Sequence, residues 1–346
     1  MRDDAKPFVL IFANRTGESS SCGKLRGDTR IKPRRILANE RAPARPAYPA
    51  TAAEMRRSND NSVLFACPPP QTIRLEPPMT APIPFMPDRF RTTAAYYLAG
   101  RPAYSPRLIR RVAQSCELGG SHRLLDLGCG PGQLSLAFSS WVGSGLALDP
   151  EPEMLRVAAS LGAGIASNIE YREGSSYDLS PAWGRFRLAV IGRAFHWMDR
   201  PDTLERLDAL IEPEGAVALF STAMVTDAPI AWLAPYHALL EEYAHSDPAR
   251  AQRKSDDWES HDAVLAKSPF AALEYASIVE TRRVSVESLL TRPLSMSSLS
   301  RERLGARLDE LLAHIQALLD AHATNGWLDE RIESTALIAR REAAHS

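Results

Sequence analysis

Three glycines at alternate positions, Gly128, Gly130 and Gly132, follow directly on the apolar run Leu124 to Leu127 and precede Leu134, Leu136, Ala137 and Phe138 at helical spacing. Such a loop lets the backbone turn sharply and approach a ligand closely, and the following helix points its N–H groups at whatever sits there. Two carboxylates flank it: Asp126, just before the first glycine, and Asp149, 17 residues beyond Gly132 at the end of the run GSGLALDP. A similar loop serves dinucleotides, but a carboxylate at Asp126 would repel a pyrophosphate and attract an ammonium or a sulfonium. Asp149 is placed to accept hydrogen bonds from both hydroxyls of a ribose. A second group stands further on, in IGRAFHWMD, where His196 could take a proton from an acceptor and Trp197 could wall or stack on it. Arg193 could pair with an anionic acceptor, or could simply be a solvated surface residue. Cys129 reads as a small residue that fits its loop, because nothing near it in sequence would activate a thiol.

These residues need a sheet whose strand ends converge. SPRLIRRVAQSCEL reads as a helix with Ser105 as N-cap, Pro106 at the first helical position and Leu108, Ile109, Val112, Ala113 and Cys116 on one face. HRLLDLGCGPGQLSLAF is strand, tight loop, helix; GSGLALDP, IEYREGSS, FRLAVIGRAFHW and GAVALFSTA are four more strands, with helix text in EMLRVAASL. Strands alternating with helices indicate an α/β fold, a parallel sheet covered on both faces. The alternation is lost after Ala223. Residues 224 to about 270 read as a helical insertion carrying Trp232 and Tyr236, which could roof an acceptor pocket. A long helix is expected from a cap at Ser300, with Leu304, Leu308, Leu311, Leu312, Ile315, Leu318 and Leu319 in one stripe, and STALIARR as a last strand.

In this sequence LLDLGCGPG resembles the first motif of the class I S-adenosylmethionine-dependent methyltransferases, LALDP their acidic second motif, and YREGSSYDL the segment that borders the adenine. FHWMD and AAYYLAGRPAYSPRLI are similar to segments of the methyltransferase type 11 branch, which contains ubiquinone/menaquinone C-methyltransferase-like and trans-aconitate methyltransferase-like proteins. The resemblance runs from about Phe90 to Arg341. It implies a Rossmann-like, doubly wound sheet of seven strands with the last antiparallel, a helical insertion after strand five, and S-adenosyl-L-methionine lying across the ends of the first two strands. By that resemblance Asp126 and Gly128 hold the methionine portion, Gly130 and Gly132 allow close approach, Asp149 takes the ribose, and Ser176 with Tyr177 flanks the adenine. The family often has an acidic residue where Tyr177 stands. Tyr97 and Arg101, in the lead-in segment, could close over the cofactor, Arg101 pairing with its carboxylate. The implied activity is methyl transfer to a small-molecule acceptor with no metal. The rivals are a non-catalytic S-adenosylmethionine-binding module and a dinucleotide-dependent oxidoreductase.

Composition bounds the partners. The chain of 346 residues has a formal net charge of −1, but that sum joins two unlike parts. Before Asp88, 14 Lys and Arg stand against 8 Asp and Glu, and from Asp88 onward 27 stand against 34; 13 of the 26 prolines also precede Asp88. The first 87 residues, as in RAPARPAYPA, lack any period of 3.6 or 2 and so read as a disordered leader. Met79, just before the patterned region, is the expected true start, leaving 88–346 as the methyltransferase domain. An acidic domain argues against nucleic acid as substrate, and no apolar run is long enough for a spanning helix. Four scattered cysteines, Cys22, Cys67, Cys116 and Cys129, with no C-x-x-C pair, fit neither a zinc site nor a disulfide framework and suggest a reduced, cytoplasmic setting.

Overall fold

A computed structural model describes residues 83–84, 86–226 and 229–342. The leader, apart from its last few residues, and the start expected at Met79 lie outside the described residues. Within them, seven strands form one sheet in the order β3-β2-β1-β4-β5-β7-β6. The strands are β1 (Arg123–Leu127), β2 (Ser144–Asp149), β3 (Ile169–Glu173), β4 (Phe186–Gly192), β5 (Ile211–Met224), β6 (Ala272–Ser285) and β7 (Trp327–Arg340). The first five run parallel to one another, and β7 runs antiparallel to both β5 and β6. This is the Rossmann-like, doubly wound sheet with its last strand reversed.

β1 and β4 are central because they can be buried on both faces: Leu124, Leu125, Leu127, Leu188, Ala189 and Val190 are all inaccessible or nearly so. Helices close the two faces. α2 (Pro106–Ser115) and α3 (Gln133–Phe138) cover one face and α5 (Arg200–Leu210) the other, while α4 (Pro152–Gly162) packs on β2 and β3 and α1 (Ala94–Gly100) on a helix of the second half. In α2 the expected stripe of Leu108, Ile109, Val112 and Ala113 is buried, with Pro106 in the first turn. Ser105 precedes the helix but its hydroxyl does not cap it; its backbone N–H instead donates to Ser334 Oγ of β7 at 3.3 Å. α4 is capped by Glu151, whose carboxylate accepts from the Glu153 N–H, and α5 by Asp199, which accepts from the Asp202 N–H.

The insertion after β5 contributes α6 (Leu233–Ala244), α7 (Pro248–Arg253) and α8 (His261–Ala266) before β6; α9 (Val286–Leu294), α10 (Arg301–Leu304) and α11 (Arg307–Asp320) lie between β6 and β7. The single long helix expected from Ser300 is two helices. Gly305, at φ +54, breaks it after one turn. The last strand is longer than STALIARR, beginning at Trp327, because Glu330 occupies an inward position that reads as a polar interruption in the sequence. Glu330 is fully buried, with the Arg292 guanidinium at 2.9 Å and that of Arg282 at 2.7 Å, and Arg292 Nε also donates to the Gly100 carbonyl at 3.2 Å. One buried carboxylate thereby ties β7, β6, α9 and the end of α1 together.

No helix among the described residues is long and apolar enough to cross a membrane. Among the same residues Cys116 and Cys129 are buried free thiols.

Candidate active site

The glycine loop sits where β1 meets α3. Gly128, Gly130 and Gly132 have φ of +69, +54 and +80, a region that side chains with a Cβ rarely adopt. Their surroundings differ. A Cβ on Gly128 would lie 2.7 Å from Ala194 Cβ, and one on Gly132 would lie 3.1 Å from Ala158 Cβ, whereas one on Gly130 would meet nothing within 4 Å. The first and third glycines permit protein packing; the second faces open space. Gly130→Ala should therefore cost only about 1–2 kcal/mol of stability from its left-handed backbone, while the new methyl group enters ligand space. The expected result is a small fall in melting temperature with a loss of ligand affinity of tenfold or more by calorimetry.

Asp126 is buried at 1% exposure on β1. Its Oδ2 accepts from the Ser135 backbone N–H at 2.8 Å and from the Ser135 hydroxyl, but its Oδ1 is buried with no partner. Burial pushes this carboxyl up to about 7, against the opposing pull of the two Ser135 hydrogen bonds. Asp149 at the end of β2 accepts from the Gly130 N–H on Oδ2 at 2.8 Å and from the Glu151 N–H on Oδ1 at 3.0 Å. Burial raises it too, to about 6, despite those two donors. Each oxygen of Asp149 retains a lone pair toward the cleft.

A small cavity at the end of β1 is lined by Asp126, Gly128, Tyr104 and Arg193. The Tyr104 hydroxyl is, like Asp126 Oδ1, buried without a partner. Arg193 is not the solvated surface residue it could have been. It stands at φ +57 just beyond β4, donates to the Pro102 carbonyl and to Thr222 Oγ1, and bonds to Gln133. Its guanidinium lies 4.7 Å from the Tyr104 ring centroid and 5.4 Å from that of Tyr97. Arg101 donates to the Ser295 carbonyl through Nε and Nη2, and its burial lowers its pKa to about 10.

A larger cavity of about 260 Å³ opens beside these groups, with Tyr97, Arg101, Gly130, Asp149, His196 and Trp197 in its wall. His196 lies on the 3-10 turn after β4. Burial, then the charges of Arg253, His261, Arg101 and Arg89, hold its imidazole well below the ordinary histidine value. The ring is neutral, and its surroundings work against the imidazolium that a proton-accepting base becomes. Trp197 packs edge-on against Phe90 and lies beneath the guanidiniums of Arg89, at 4.1 Å, and Arg253, at 4.8 Å.

Ser176 lines an adjoining pocket with Leu127, Gly128, Asp149 and Met198. Tyr177 does not line it; its side chain is 44% exposed. Pro84 and Met86, ahead of the boundary expected at Asp88, line this pocket, and Ile83 is buried. Trp232 and Tyr236, candidates for the acceptor roof, are instead core residues. Trp232 Nε1 donates to the Asp329 carbonyl at 3.0 Å and the Tyr236 hydroxyl to the Leu289 carbonyl at 2.7 Å. The insertion reaches the cavity through Arg250 and Arg253 of α7, which sequence reasoning missed, as it missed Tyr104. Cys129 is buried, and burial followed by the Asp126 and Asp149 charges keeps its thiol protonated.

Residues 124–215, the segment carrying β1, the glycine loop, Asp149 and His196, match the family described as a methyltransferase domain. This stretch is a methyltransferase domain. An uncharacterized methyltransferase of Schizosaccharomyces pombe is 24% identical over 233 residues, 65% of this chain and 88% of that protein. The uncharacterized methyltransferase YcgJ of Bacillus subtilis is 24% identical over 158 residues, 43% of this chain and 58% of that one. The crystal structure of YcgJ aligns with a TM-score of 0.44 at 18% identity, over 69% of this methyltransferase and 100% of that chain.

Proposed function

We propose that this methyltransferase acts on a small-molecule acceptor, bound in the cavity between the glycine loop and the insertion. The observation that carries this reading is the rim of that cavity. Arg89 reaches across to Asp247, at the start of α7, at 2.6 Å and to Ser297 Oγ at 3.1 Å, while Thr92 Oγ1 donates to Glu302 at 2.7 Å. A cavity edged by cross-links from the lead-in segment to the insertion and to the segment between β6 and β7 suits a compact acceptor better than a polymer.

The residues fit the cofactor. The orphaned Asp126 Oδ1 can accept from an α-ammonium, the spare lone pairs of Asp149 from two ribose hydroxyls, and Arg101 can pair with a carboxylate. Gly130 leaves room for the ligand, and Ser176 borders the pocket toward an adenine. Tyr97 closes the methionine end from above. S-adenosylmethionine, when bound, supplies a methyl group on positively charged sulfur: the acceptor's electron pair forms the new bond to carbon as the carbon–sulfur bond breaks, and that bond's pair remains on sulfur, which leaves neutral. The chain's own task is alignment and exclusion of water. His196 takes part as a neutral imidazole that shapes the cavity beside Trp197 and can exchange a hydrogen bond with the acceptor.

The raised carboxyl of Asp126 gives a pH signature. In the folded, ligand-free protein it is protonated below about 7, whereas unfolded it would ionise near the ordinary aspartate value. The folded form thus binds the extra proton between those limits, so the contribution of this group to stability falls as pH rises through that window. An ammonium ligand prefers the ionised form. S-adenosylmethionine affinity should therefore fall by up to tenfold per unit as pH drops below about 7, with proton release from Asp126 on binding visible as a buffer-dependent heat. Asp126→Asn should bind more weakly at neutral pH and lose most of that dependence; an unchanged pH profile in the variant would remove Asp126 from the ammonium site. The acceptor reading itself is tested by incubating the full chain with labelled S-adenosylmethionine and a metabolite extract. Label should appear in small molecules, and label confined to protein or nucleic acid would contradict it.

A further inference from the structure

The cavity beside the glycine loop has an excess of positive charge. Arg101, Arg193, Arg250 and Arg253 line it against a single carboxylate, Asp149, which the methyl-transfer reading assigns to the ribose. Arg250 is paired with Glu241, but its Nε is buried with no partner. Arg253 has no carboxylate within ion-pair distance among the described residues. Its Nε donates to the Ala249 carbonyl at 3.2 Å and its guanidinium lies over Trp197. Burial, and the nearby guanidiniums of Arg250 and Arg89, push Arg253 down to about 10 although Asp247 opposes this. A cofactor carboxylate can satisfy Arg101 or Arg193 at the methionine end. Arg253 lies instead over Trp197, with Arg250 and Arg89 as its positively charged neighbours.

A second cavity of about 250 Å³ lies beside the first. The two share Arg101, Thr222, Arg250 and Met296, so Arg250 stands at the junction. The wall of the second cavity is mixed, with an apolar part formed by Met224, Leu240, Ala244, Met296 and Ile332 beside His237, Glu241 and Arg292. Of the charged residues there, Arg292 is matched by Glu330 and Glu241 by Arg250 and Lys254, while Arg101, on the side shared with the first cavity, donates to the Ser295 carbonyl. A charged end and an apolar continuation describe the two halves of one ligand.

We infer that the methyl acceptor is an amphiphilic organic anion, its charged group held by Arg253 and the free Nε of Arg250 and its carbon body extending into the cavity between Met224, Leu240, Ala244, Met296 and Ile332. This rests on the methyl-transfer reading of the cleft.

The test uses the full chain saturated with S-adenosylhomocysteine and titrated by calorimetry with butanoate, hexanoate, octanoate, 1-octanol and octylammonium. Octanoate should bind at least tenfold more tightly than 1-octanol, and octylammonium most weakly of the eight-carbon probes. Affinity should rise roughly threefold or more per added methylene from butanoate to octanoate, as expected for progressive burial of the chain. Arg253→Gln should lower octanoate affinity about tenfold while leaving the affinities for 1-octanol and S-adenosylhomocysteine unchanged. Octanol matching octanoate, a flat chain-length series in the unaltered protein, or an Arg253→Gln variant that binds octanoate normally would each overturn the inference alone. Failure of S-adenosylhomocysteine to bind in the first titration would overturn the methyl-transfer reading, and the inference with it.

Discussion

Asp149→Ala is expected to lower S-adenosylmethionine affinity at least a hundredfold while leaving a folded protein. The magnitude follows from two ribose hydroxyls losing a charged acceptor, each such hydrogen bond being worth about 1.5–3 kcal/mol. The carboxylate also holds the Gly130 and Glu151 N–H groups, so the variant frees the glycine loop as well as emptying the ribose position. Both effects act in one direction. Asp149→Asn separates them in part: the amide oxygen can keep one of the two backbone contacts, so loop order is partly retained while the charge is gone. Affinities within threefold of the parent in both variants, measured by calorimetry at pH 7.5, would remove Asp149 from the site.

Glu330→Gln is expected to destabilise the fold by about 3–5 kcal/mol, since removing one partner of a buried ion pair leaves the other charge unmatched. Two guanidiniums would be left, Arg292 at 3% exposure and Arg282 at 35%. In a domain of this size the melting temperature should fall by roughly 6–20 °C. Burial favours the protonated acid, yet Arg292 and Arg282 together hold Glu330 below its ordinary value. Its contribution is therefore present above the ordinary glutamate pKa and is lost as pH falls through the lower, folded-state value. Because Arg292 also donates to the Gly100 carbonyl, the variant should loosen the lead-in helix α1 and with it Arg101. A melting temperature within 2 °C of the parent would show that the ion pair anchors nothing.

The parallel half of the sheet was readable because β1, β2 and β4 are short apolar runs and β1 and β2 carry their carboxylates at or next to their ends. Asp126, the three glycines and Asp149 could be placed from spacing alone, since strand, loop and helix leave little freedom at that junction. The antiparallel half was not readable in the same way. β6 is an edge strand on which the exposed face carries Tyr275 and Val279 while the packed face mixes Glu274, Glu280 and Arg282 with Ala276, Ile278 and Val284, which blurs the usual alternation. Glu274 is held there by Ser115 and Arg340, partners far away in sequence. Gly305 splits a continuous apolar stripe that hydrophobic periodicity reads as one helix.

The acceptor side was least legible, for a related reason. Arg250 and Arg253 reach the cavity only because α7 is drawn toward the lead-in segment by the Arg89–Asp247 pair, and nothing local in PARAQR announces a binding surface. The aromatics of the insertion were the more conspicuous residues, but Trp232 and Tyr236 are built into the core beneath α9 and β7. Tyr104 belongs to the same lead-in segment as Tyr97 and Arg101. Its distinguishing feature, a hydroxyl buried beside Asp126 without a partner, exists only in three dimensions.

The most direct test of the two-carboxylate cleft is a calorimetric titration of the full chain with S-adenosylmethionine and, in parallel, with NAD. One S-adenosylmethionine per chain is expected to bind in the micromolar range at pH 7.5, displaced by S-adenosylhomocysteine, with no NAD binding at the same concentrations. NAD binding of comparable strength, or S-adenosylmethionine binding that survives both Asp126→Asn and Asp149→Ala, would contradict the assignment of this cleft.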